Sequence, residues 1–142
     1  MPDRTFIDTN VLVYLYAGDA PEKAAVVADL LREGMGRNSL VISTQVMQEF
    51  YSVLTTKFQK AVSESSAADA LRRLAVMEVV QVSPDLILAA AEISRRDKLN
   101  FWDALIIEAA LEAGCTRLFT EDLQTGRSYG AMRILNPFPG YV

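Results

Sequence analysis

The chain has 142 residues, 51% hydrophobic and 23% charged, with a formal net charge of -4 and an isoelectric point near 4.8. That is enough for one compact domain, residues 1–142, with its own core, and it excludes broad electrostatic affinity for polyanions, because phosphate contacts carry most non-specific nucleic-acid binding. Histidine is absent and cysteine occurs once, so Ser-His and Cys-His nucleophiles, His-ligated zinc, internal disulfides and Cys-based metal cages are all excluded.

The first element is "TFID" (Thr5 to Asp8), a short buried strand, and "NVLVYLY" after it reads as a helical turn or two. Asp19 offers an N-cap and Pro21 an early helical position for a helix whose apolar face is Ala24, Val27, Leu30 and Leu31, ended by Gly34 and Gly36. "LVIS" (Leu40 to Ser43) is a second strand, followed by a helix carrying Val46, Met47, Phe50, Val53 and Leu54. The capping-box spacing of Ser66 and Asp69 starts the next helix, which runs to about Met77. A third strand is "VVQV" (Val79 to Val82), and Ser83 and Pro84 open a helix reaching about Arg96, where "DKLN" breaks the pattern. "FWDALIIEAALEAG" is a strong helix ended by Gly114, "TRLFT" (Thr116 to Thr120) a buried strand and "RIL" (Arg133 to Leu135) a last short one.

Strands separated by helices imply an α/β fold, a three-layer α/β/α domain around a mostly parallel sheet of four to five short strands. No apolar run approaches the roughly 18 residues that span a bilayer. The opening "MPDRTF" also lacks a basic region followed by an apolar stretch. A soluble, cytoplasmic protein is expected, with Cys115 a small buried hydrophobe.

In such folds ligands bind outside the carboxyl ends of the strands, and two acids lie there. Asp8 ends the first strand between apolar flanks that leave little room for a solvated side chain. Asp122, in "TEDLQ", follows "RLFT" by one residue and serves equally well as a turn or cap acid. Asp103 gives sharper evidence: at about 100° per residue Ile107 and Ala110 lie within about 40° of it, whereas Glu108 and Glu112 fall roughly 140° and 180° away. It therefore points inward, although with Asn100 as N-cap it also suits the third helical position, where an acid favours the helix dipole. Glu49 sits where the apolar face of its helix meets a polar stripe of Gln45, Ser52 and Thr56, a boundary position that also follows a strand closely enough to lean over the same sheet edge.

The ordered set Asp8 in "IDTN", Glu49 in "QEF", Asp103 in "FWDAL" and Asp122 in "TED" resembles the PIN-domain ribonucleases, in particular the VapC-like toxins of bacterial toxin-antitoxin pairs, from Phe6 to "NPF" at Asn136 to Phe138. The resemblance implies that these four acids are the catalytic, metal-holding carboxylates, with Asn10 and Thr120 as polar support. It further implies Mg²⁺- or Mn²⁺-dependent RNA cleavage, homodimerisation, and inhibition by a small antitoxin made separately.

Physical chemistry supports the same cofactor without the name. Carboxylates gathered in one cleft repel one another and take up protons unless a cation neutralises them. An all-oxygen donor set suits hard Mg²⁺ or Mn²⁺, and a bound metal activates water without histidine. Asn10 either supports a carboxylate or caps the following helix, and Thr120 has the same two readings. Trp102 suits a core or dimer contact better than base stacking. Arg95, Arg96 and Lys98, with Lys57, Lys60, Arg72 and Arg73, are candidates for phosphate contacts, against the ordinary reading of solvated surface charge.

Two other functions compete. "DTNVL" is similar to the aspartyl-phosphate hydrolases of the haloacid dehalogenase type, but Asn10 stands where their acid/base Asp belongs. A non-catalytic interaction module would suit the low isoelectric point; four inward acids without a ligand would then be costly.

Overall fold

The computed structural model describes residues 3–138; Met1 and Pro2, part of the opening read above for a leader, and the last four residues lie outside them. β1 (Thr5–Ile7) runs directly into two short helices, α1 (Thr9–Leu12) and α2 (Tyr14–Ala17), and then α3 (Pro21–Gly36). β2 (Leu40–Ser43) leads to α4 (Thr44–Thr56), α5 (Glu64–Leu74) and β3 (Glu78–Val80). After α6 (Pro84–Asp97) and α7 (Phe101–Glu112) come β4 (Arg117–Phe119), β5 (Ser128–Tyr129) and β6 (Met132–Leu135).

The sheet order is β3-β2-β1-β4-β6-β5, parallel except for the antiparallel pair β5 and β6. Strands buried on both faces need continuous apolar runs, and Phe6, Ile7, Val41, Ile42 and Leu118 have no exposed surface. From β1 the chain builds outward through β2 to β3, then returns across the sheet to β4 on the other side of β1. With right-handed crossovers, this reversal puts helices on both faces and opens a crevice beyond the carboxyl ends of β1 and β4. Register fixes what meets there. Phe6 pairs with Leu118 and Ile7 with Phe119, and Asp8 N–H donates to the Phe119 carbonyl at 3.0 Å, so Asp8 and Thr120 leave the sheet side by side.

The sheet has six strands among the described residues, one more than the upper expectation. The extra one, β5, is a two-residue strand with no run of β-formers to announce it. A tight turn joins it to β6, with Gly130 at φ 58, a conformation glycine takes without strain. Helix starts also shift. Pro21 occupies the first position of α3, which makes Ala20 rather than Asp19 the capping residue. α5 starts at Glu64 because Ser63 Oγ accepts from Ser66 N–H at 3.1 Å; Ser66 is the recipient of the cap and the helix ends at Leu74, short of Met77. β3 stops at Val80 because Val82 N–H turns to Thr44 Oγ1. Cys115 is buried as expected, and no helix among the described residues is long and apolar enough to cross a membrane.

Candidate active site

Asp8, Glu49, Asp103 and Asp122 all line one cleft of about 700 Å³ at the carboxyl ends of the strands. The fold brings each there by a different route. Asp8 is the cap between β1 and α1, Glu49 lies in the second turn of α4, Asp103 in the first turn of α7, and Asp122 in the bend after β4. Asn100 Oδ1 accepts the Trp102 N–H at 2.9 Å and caps α7 with Asp103 in its first turn, so the helix-dipole role of Asp103 stands beside its place on the cleft. No helix follows Asp122 among the described residues, and its cap reading gives way to a bend.

Asp8 is 6% exposed. Its Oδ1 accepts the Thr9 N–H at 2.7 Å and its Oδ2 the Thr120 hydroxyl at 2.9 Å. Burial outweighs these bonds and, with repulsion from Glu49 and Asp122, pushes the Asp8 carboxyl up to about 7. Asp103 is also held above its ordinary range, first by desolvation, then by Asp122 and Glu49. Neither these two nor Glu49 or Asp122 forms an ion pair with a Lys or Arg among the described residues.

Asn10 and Thr120 act on each other as well as on the acids. Asn10 Nδ2 donates to Thr120 Oγ1 at 3.2 Å and its Oδ1 accepts the Glu121 N–H at 3.3 Å, which ties α1 to the loop carrying Asp122. Thr120, with no exposed surface, donates to Asp8 while accepting from Asn10 and from the Asp122 N–H at 3.2 Å.

Two features of the site had no place in the sequence reading, and a third was placed on the wrong side of its helix. Thr9 joins two acids, its N–H serving Asp8 and its hydroxyl donating to Glu49 Oε1 at 3.0 Å; the spacing of "DTN" carries this signal only once Glu49 is known to lie across from it. Gln45, placed with a polar stripe, is buried. Glu121, beside Asp122, is withdrawn from the cluster by Tyr14 OH and Lys23 Nζ, each 2.5 Å from its carboxylate. Trp102 overturns the core reading, since it is 59% exposed and lines the cleft. Among the candidate basic residues, Arg72, Arg95 and Arg96 pair with Asp69, Glu92 and Asp97 on their own helices, and Lys57 is the basic residue that lines the cleft.

The donor set fits a hard divalent cation. It is all oxygen and lacks a cationic partner among the described residues, and its most buried member is driven toward protonation. Among the described residues no three acidic, histidine or cysteine side chains are gathered as a ready metal cage. Mg²⁺ does not require one, because it keeps several waters and is commonly held by one or two carboxylates and the substrate's phosphate.

The PIN domain family model matches residues 5–127. Among solved structures, the sarcin-ricin loop cleaving toxin VapC20 of Mycobacterium tuberculosis is similar at 24% identity and TM-score 0.66, over 83% of this chain and 89% of that one. A toxin-antitoxin complex from Klebsiella pneumoniae aligns at 19% identity and TM-score 0.69, over 94% and 98%. VapBC2 from Rickettsia felis, bound to a DNA fragment from its promoter, aligns at 19% and 0.67, over 93% and 97%. No curated protein sequence matches.

Proposed function

The chain belongs to the PIN domain family, and from that premise we propose that it is a Mg²⁺- or Mn²⁺-dependent endoribonuclease that hydrolyses RNA phosphodiester bonds as the toxin of a toxin-antitoxin pair. The carrying observation is that Asp8, Glu49, Asp103 and Asp122 share one cleft, without cationic partners among the described residues, in a chain that has no histidine. Asp8, Glu49, Asp103 and Asp122 are the catalytic and metal-holding residues of this reading, with Asn10 and Thr120 in support. A divalent cation held there would supply Lewis acidity, lowering the pKa of water and offsetting charge on the phosphate.

The chain's own groups prepare the place. Thr120 and the Thr9 N–H orient Asp8 as a carboxylate, and Thr9 Oγ1 holds one oxygen of Glu49. Burial keeps water from screening Asp8, so its charge acts at close to full strength on whatever cation enters. Against a net charge of -4, Lys57 at the cleft and the cation itself offer the substrate's phosphates a favourable approach.

The antitoxin partner is supported by the structural neighbours solved as toxin-antitoxin complexes. Homodimerisation and a cytoplasmic location complete the proposal. Asn10 speaks against aspartyl-phosphate chemistry, because it spends its amide on Thr120 and Glu121 and offers no acid. The test is cleavage of RNA by the purified protein: activity with Mg²⁺ or Mn²⁺, none in excess chelator, and loss in Asp103→Asn. Full activity in chelator, with metal carry-over excluded, overturns the reading.

A further inference from the structure

Gln45 is 5% exposed, in the first turn of α4, and its carboxamide can be oriented without ambiguity. The Trp102 carbonyl lies 3.1 Å and Glu49 Oε2 3.4 Å from its nitrogen. Both are acceptors, so the nitrogen must face them; turning the amide over would set oxygen against oxygen twice. The oxygen is then left buried with no donor, a state that folded proteins avoid. An apolar side chain of equal length would fill the same space without an orphaned oxygen. What it could not do is donate.

Each donated bond lands on the machinery of the cleft. Together with Thr9 Oγ1 on Glu49 Oε1, Gln45 gives both oxygens of Glu49 a donor, one from α1 and one from α4. Its bond to Trp102 ties α4 to the residue immediately before Asp103. We propose that Gln45 is a positioning residue: its amide nitrogen orients the Glu49 carboxylate and fixes the start of α7, so that Glu49 and Asp103 face the same divalent cation. This rests on the metal-dependent reading above.

The test compares wild type with Gln45→Met, and with Gln45→Leu should the first variant fold poorly, by metal-free melting and by Mn²⁺ titration followed by electron paramagnetic resonance. The metal-free variant should melt at or above wild type, since the orphaned oxygen is gone. Mn²⁺ should bind about 10- to 100-fold more weakly, the scale seen when a ligand loses its orienting partner, and RNA cleavage should fall with it. The part of the affinity loss that passes through Glu49 should vanish when Gln45→Met is made in a Glu49→Gln background, leaving the part that passes through Trp102 to Asp103. Unchanged Mn²⁺ affinity, or a loss fully additive with Glu49→Gln, overturns the proposal. So does a variant pair that melts far below wild type with affinity intact, or that fails to fold, for Gln45 would then be a brace of the fold. Wild type that binds no Mn²⁺ fails the metal reading itself, a result distinct from all of these.

Discussion

The Thr120 hydroxyl donates to Asp8 Oδ2 at 2.9 Å while its own lone pairs are taken by Asn10 Nδ2 and the Asp122 N–H. With both acceptor sites filled, Thr120 cannot receive a proton from Asp8, so the network is wired for the carboxylate even as burial drives that group toward its acid. Thr120→Val, nearly isosteric, removes one donated and two accepted hydrogen bonds from a fully buried junction. It should destabilise the protein by about 1–3 kcal/mol and sharply reduce cleavage. Thr120→Ser should cost only about 1 kcal/mol, the value of a buried methyl group, and keep activity. Urea midpoints at constant slope would check both.

Asp8 also sets a pH dependence. Its folded value is raised to about 7 from 3.8, so between these limits the folded chain holds more protons than the unfolded one. The stability linked to this group is complete below pH 4 and is lost as pH rises through 7. In metal-free protein, Asp8→Asn does not titrate, so its melting temperature minus that of wild type should grow from pH 4 to pH 7, by on the order of 10 °C, and level off above. The fixed cost of placing an amide against Thr120 is the same at every pH and leaves this trend untouched. A gap that stays constant, or shrinks, would make Asp8 an ordinary structural acid.

Trp102 is the chain's single tryptophan, exposed at the cleft and packed edge-on to Phe101 at 5.3 Å. Its emission should resemble that of a solvated indole and change when non-cleavable RNA is added. Trp102→Ala should leave stability within about 0.5 kcal/mol, as for surface positions generally, and weaken RNA binding. Emission indifferent to saturating RNA would remove Trp102 from the substrate path.

A cleft that attracts cations should also admit a guanidinium, which pairs with carboxylates through two hydrogen bonds. If a cognate antitoxin blocks this site, one of its Arg or Lys side chains should enter near Asp8 and Asp103. Replacing each in turn should identify one whose loss releases activity; inhibition undiminished by every replacement would count against such occlusion.

Much of this was legible from residue order. Strands after helices, the Asn100 cap and the inward angle of Asp103 are local patterns; they put Asp8 and Asp122 at one sheet edge and turned Asp103 inward, while the full set with Glu49 came with the family resemblance. The shared wiring was not legible. Thr9 serves Glu49 across 40 positions and Thr120 serves Asp8 across 112, and no local pattern encodes a hydrogen bond between elements whose neighbour relation is settled only by topology. The core reading of Trp102 and the polar-stripe reading of Gln45 failed for the same reason. Both followed hydrophobicity, whereas the end of a sheet gives an apolar ring to solvent and an amide to the interior.

The central place of β1 has one further consequence, for the time during synthesis when this protein becomes active. β1 leaves the ribosome before the other described strands, yet its neighbour on one side is β4, and the last of the four acids follows β4. Closing so long a loop comes late because its entropy must be met before the contacts form. A nascent chain that has not yet released Asp122 holds three of its carboxylates and lacks the strand that seats Asp8. Fragments stopped within α7 should therefore be harmless to RNA however much of the chain they contain, and cutting would begin only once the partner strand of β1 has docked.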